Sequence, residues 1–141
     1  MKCITRIWIT LIVFLSLFSA CKKESCDWNS IIGKWELTNQ KVISNGQLGY
    51  NLDYQKGKSY IYHFKLDDTY TLNDVDSILE HGTYKLDSSK FSFHCVIRPG
   101  YEKSGTQNCI LSNTTLTLFN SGRDTNGEYT ETFLYTRISN N

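Results

Sequence analysis

The sequence holds one proline in 141 residues, and no apolar run reaches the ~20 residues that a membrane-spanning helix needs. It also lacks an excess of either charge. Fifteen basic and fourteen acidic residues leave +1, so there is no electrostatic footprint for a nucleic acid. There is no G-x-S-x-G, no H-E-x-x-H and no glycine-rich phosphate loop after a strand. No nucleophile, base and orienting group can be assembled from what remains, so the chain reads as a non-enzyme with no cofactor. The length suits one domain and excludes a two-domain dinucleotide enzyme. What is present is an aromatic content of 13%, which argues against disorder, and five cysteines, which raise the question of redox compartment.

The first twenty residues read as an address. Lys2 and Arg6 flank a positive start, and Ile7 to Phe18 form an apolar run of about 12 residues, the length of a secretory h-region. Leu17-Phe18-Ser19-Ala20-Cys21 resembles a bacterial lipobox, with Phe18 in place of the usual leucine. That resemblance implies cleavage before a lipidated Cys21, ordinary cleavage after Ala20 being the alternative. Residues 1–20 would be the signal peptide, 21–30 a lipidated tether and 31–139 the folded domain. Loss of Lys2 and Arg6 would take the charge of the mature 121 residues to −1. Several acyl chains anchor stably where one does not. Lys22 in second position resembles the pattern of outer-membrane lipoproteins in Gram-negative envelopes, facing the periplasm or the surface.

From Trp35 onward, alternation of apolar and polar residues recurs and no helical period persists. Eight strands are expected near 34–43, 58–66, 69–75, 78–86, 90–97, 106–111, 115–120 and 128–138. The short gaps between them favour antiparallel pairing. Trp35, Leu37, Tyr60, Tyr62, Phe64, Leu66, Tyr70, Leu72, Tyr84, Leu86, Phe91, Phe93, Cys95, Ile97, Leu116, Leu118, Phe133 and Tyr135 would share the inner face. Eight strands with one apolar face each need closure to remove two sticky edges, so the expected fold is an all-β up-and-down barrel. A two-sheet sandwich is the alternative.

Gly33-Lys34-Trp35 after an Asp27–Ile32 turn-helix, with the late Tyr135-Thr136-Arg137, resembles the lipocalin pattern. Tyr60-Ile61-Tyr62-His63-Phe64 and Gly82-Thr83-Tyr84-Lys85-Leu86 also resemble small bacterial lipocalin-like lipoproteins. The resemblance implies that Gly33, Trp35 and Arg137 plug one barrel end, where a guanidinium lying on an indole gains cation–π and stacking energy. It also implies that the longest gap, Ser44 to Gly57, lies over the open mouth as a lid.

A small apolar or amphipathic ligand would then meet Tyr50 and Tyr54 from the lid, with Tyr60, Tyr62, Tyr70, Tyr84, Phe93 and Tyr135 inside. Buried tyrosine hydroxyls need partners. The same residues read equally as packing in a filled barrel that serves as a protein-interaction module of the envelope. Cys95 and Cys109 would stand opposite each other about a Tyr101-Glu102-Lys103 turn, within reach of a disulfide, with Cys26 as another thiol. A turn at Asp87-Ser88-Ser89 would set His81 opposite His94, but without a third ligand; with His63 elsewhere, no metal site is expected.

Overall fold

The computed structural model describes residues 31–75 and 77–139. Cys21, Cys26, the signal and tether segments and most of the Asp27–Ile32 turn-helix lie outside them. The described chain is all β. In order the strands are β1 (Gly33–Ser44), β2 (Gln47–Asp53), β3 (Ile61–Phe64), β4 (Thr69–Asn73), β5 (Ile78–Asp87), β6 (Lys90–Arg98), β7 (Tyr101–Leu111), β8 (Thr115–Asp124) and β9 (Gly127–Ser139). Every pairing is antiparallel. β1 bonds β3 on one edge and β9 on the other, which closes an eight-stranded barrel; β2 is a ninth strand outside the ring.

The turns follow from local chemistry. Asn45 and Gly46 both have positive φ, 50° and 75°, which suits the two-residue hairpin whose twist matches that of its strands. That hairpin corrects the expected Ser44–Gly57 lid: Gln47–Asp53 is a strand running back along β1. A bulge at the Val42/Ile43 step interrupts its register. After it, Gln55 to Ser59 cover the buried Glu36. The Gly57 N–H donates to Glu36 Oε1, and Ser59 Oγ lies 3.4 Å from the same oxygen.

Register corrects two further expectations. Ser88 takes a positive φ of 53° in a two-residue turn, with Asp87 opposite Lys90. The ladder therefore sets His81 against Val96 and His94 against Thr83, and the two histidines are not partners. Pro99 and Gly100 turn β6 into β7, so Cys95 faces Lys103 while the Cys109 N–H donates to Ser89 O. Cys95 and Cys109 are both buried, and no disulfide joins them.

The core follows the expected alternation. Trp35, Leu37, Phe64, Tyr70, Tyr84, Phe91, Cys95, Leu116, Leu118 and Tyr135 are buried, and Tyr62, Leu86, Phe93 and Phe133 pack against them. Tyr60, Leu66 and Ile97 are exposed instead. Tyr60 precedes β3, Leu66 lies in the β3–β4 turn and Ile97 nears the end of β6, so strand ends carry them beyond the packed interior.

One end is plugged. Trp35 is fully buried, its Nε1–H donates to Ile31 O at 2.6 Å, and Arg137 Cζ lies 4.1 Å from the ring centroid. The guanidinium also donates to Ile32 O at 2.9 Å. Gly33, with φ of 125°, starts β1 beneath them in a conformation that a side chain would disfavour.

Candidate functional site

The strands on either side of the ring are not equally long, and this shapes the other end. β7 bonds β8 only from Asn108 to Leu111, so Tyr101–Gln107 bond β6 alone and Asn120–Asp124 bond β9 alone. β3 and β4 share only four rungs, and β2 bonds β1 alone. Beyond those rungs the barrel continues as two separate walls, β2-β1-β9-β8 facing β4-β5-β6-β7. Asn45 ties the tips of the first wall together: its amide donates to Asn126 O at 2.8 Å and its Oδ1 accepts from the Glu128 N–H at 3.0 Å.

Between the walls lies a cleft of about 370 Å³. Leu37, Gln40, Phe133 and Tyr135 line it from the first wall, with Tyr60 and Tyr62 beside them. Leu72, Leu79, Glu80, Phe93, Lys103 and Gln107 line it from the second. Gly105 allows the Phe93 ring to lie across β7, since a Cβ there would come within 2.8 Å of that ring.

Below the cleft the barrel is filled with rings. Tyr62 lies 5.2 Å from Phe64, 5.3 Å from Tyr135 and 5.6 Å from Tyr70; Phe64 lies 5.0 Å from Tyr84 and 5.6 Å from Phe91. Tilted and edge contacts of this kind add to the area they bury. The cleft therefore ends on a floor of packed rings.

The candidate residues separate by height. Tyr60, Tyr62, Phe93 and Tyr135 line the cleft. Tyr50 and Tyr54 are not in its lining but bond Gln40, which is, and Tyr54 packs against the core. Tyr54 OH donates to Gln40 Oε1 at 2.9 Å, and Gln40 Nε2 donates to Tyr50 OH and to Glu131 Oε1, both at 3.0 Å. Tyr70 lies beneath, its hydroxyl donating to Glu80 Oε1 at 3.0 Å. Tyr84 is at the plugged end, where its hydroxyl donates to Lys65 O at 3.0 Å. There it borders a separate hollow of about 360 Å³ with Asp68, Lys85 and Leu86. No residue of Ser44–Gly57 lines the cleft, so it has no lid from that segment.

Electrostatics mark the floor. Burial, then the charge of Glu80, hold the Tyr62 hydroxyl well above its ordinary range. Burial, a Cys95 hydrogen bond and Glu80 do the same for Tyr70, and burial, Tyr62 and Glu80 for Tyr135. Burial also raises the Cys95 thiol, whose Sγ lies 3.6 Å from Glu80 Oε2. A raised thiol is a poor nucleophile. Of these groups, Tyr70 and Cys95 are neutral donors to the Glu80 carboxylate.

Read from the sequence, Glu80, like Glu128 and Glu131, is a solvent-facing or rim carboxylate that could also belong to a cleft pair, and Lys103 is part of a turn; both line the cleft instead. Alternation could have found both: Glu80 is two residues before Gly82 on the inner face of β5, and Lys103 two before Gly105 on β7. No family model matches the chain, and no curated protein matches it.

Proposed function

We propose that this chain is a lipoprotein of a bacterial envelope, anchored through Cys21, whose lipocalin-like barrel binds a small amphipathic ligand in the cleft between its walls. The cleft carries this reading. Its volume is within the range of small-molecule pockets, and its lining combines apolar and aromatic side chains with a few polar groups. Burial of apolar ligand surface at ~25 cal/mol per Å² would supply the affinity, and the tyrosine hydroxyls and glutamines would orient it. The plug of Trp35 and Arg137 at the other end supports the lipocalin-like kinship.

The described chain enters at the plugged end, since Ile31 accepts from Trp35 there. A tether of ten residues spans at most ~36 Å, so the plugged end would stay within that distance of the anchoring bilayer. Native mass spectrometry of protein purified from its own envelope tests the binding. A retained ligand adds a few hundred daltons that denaturation releases, whereas an unmodified folded mass argues against it. Palmitate labelling lost in Cys21→Ser tests the anchor.

A second reading, an envelope protein-interaction module, draws on β2. This strand leaves Leu48, Tyr50 and Leu52 exposed beside a sheet edge that pairs with nothing among the described residues. It predicts a protein-sized added mass in the same spectrum.

A further inference from the structure

The charges in the cleft narrow the class of ligand. Glu80 stands on the inner face of β5 with both oxygens oriented, Oε1 by the Tyr70 hydroxyl and Oε2 toward the Cys95 thiol. Both neighbours are neutral donors. Among the described residues no lysine, arginine or histidine nitrogen lies at ion-pair distance from it; His94 Nε2 lies 3.7 Å from a different carboxylate, Glu102. Tyr60, Tyr62, Phe93, Phe133 and Tyr135 share the cleft with this carboxylate. Aromatic faces are negative and attract cations, most strongly where water is excluded.

A second carboxylate, Glu131, stands above on the facing wall. It accepts from Gln40 at 3.0 Å and from Tyr50 OH at 3.4 Å, again from neutral donors. The opposing charge is Lys103. It is exposed on β7, and its Nζ lies 5.6 Å from the Phe93 ring centroid. Water screens a charge on an exposed flexible stem more strongly than one on a half-buried carboxylate. A donor-held carboxylate in a ring-lined cleft, with a second donor-held carboxylate beyond it, therefore outweighs one solvated ammonium.

We propose that the cleft selects organic ammonium ligands, with Glu80 taking the cationic head and the surrounding rings and leucines taking the apolar body. This rests on the ligand-binding reading and adds its charge preference. Three soluble probes share one apolar body and differ in the head: phenethylammonium, 2-phenylethanol and 3-phenylpropanoate. Calorimetric titration of each into the full chain at pH 7 is expected to rank ammonium first, at least tenfold tighter than the carboxylate. Glu80→Gln keeps the shape of the side chain and is expected to bring the ammonium to within about twofold of the alcohol measured on the same variant. A carboxylate that binds as well as the ammonium, or a preference that survives in Glu80→Gln, overturns the charge assignment while ligand binding stands. Absence of binding by all three overturns the ligand-binding reading along with it. Should Glu80→Gln fail to fold, the ranking by the unaltered chain decides.

Discussion

Trp35 touches two carbonyl-anchored partners at once: its own indole N–H holds Ile31, and the guanidinium lying over it holds Ile32. Removing the ring deletes a large buried side chain and leaves Arg137 without its platform. Trp35→Ala is expected to cost ~3–5 kcal/mol in a denaturant titration, and a loss below ~1 kcal/mol would mean that the indole does not plug this end. Gly82 makes a different demand. It sits opposite Cys95 and Tyr70, and a Cβ there would run into the backbone carbonyl of His94. Backbone cannot step aside as a side chain tip can, so Gly82→Ala is expected to lower stability by ~3 kcal/mol or more in the same measurement. The contact between Trp35 and Arg137 was anticipated through the resemblance to the lipocalin pattern, not from the strand alternation. Gly82 was not legible, since a close approach between strands leaves no signature in one sequence.

Strands with one buried face could be read from alternation, and β4, β5, β6 and the start of β8 were found nearly whole. The segments missed or shortened were β2 and the outer parts of β7 and β8. Tyr101 to Gly105 and Asn120 to Asp124 are polar because they pack on nothing across the ring, so β7 and β8 extend farther than their apolar residues suggested. β2 was hidden by its glycines, although Asn45-Gly46 is a strong hairpin signal and Leu48, Tyr50 and Leu52 alternate. Pro99-Gly100 likewise marked the β6–β7 turn, and centring it instead on Glu102 brought Cys95 and Cys109 into false opposition. Glu36 belongs to this scale too, because it ties the β2–β3 connection down onto β1. Glu36→Ala would leave the Gly57 N–H and the Ser59 hydroxyl unpaired under the connection. The expected cost is ~1–3 kcal/mol, with hydrogen exchange at the Gly57 amide accelerated more than in β8 or β9.

At the scale of the molecule, the ring-filled floor links stability to alkaline pH. Tyr62, Tyr70 and Tyr135 all have hydroxyls raised above the ordinary value near 10, and burial with nearby Asp68 and Asp67 pushes Tyr84 up to about 12. A raised tyrosine favours the neutral form in the folded state, so the unfolded chain releases its protons first as pH rises. The stabilisation is complete below pH ~10 and is lost as pH climbs through the folded values. Tyrosinate absorbance from these four rings is therefore expected to rise only as circular dichroism is lost. Coincidence of all nine tyrosines in one early phase would contradict a buried, neutral floor.

The seam between β1 and β9 places Lys34 against Ser139, so the two ends of the described chain leave the barrel side by side. Hydrogen bonds in such a ladder run across the strands. A force that drew these ends apart would load only the nearest bond, then the next, as a zip fastener is opened. The molecule is thus mechanically soft along this one direction, whatever its resistance to heat or denaturant, and would part at the seam in an optical trap long before its ring-packed interior gave way.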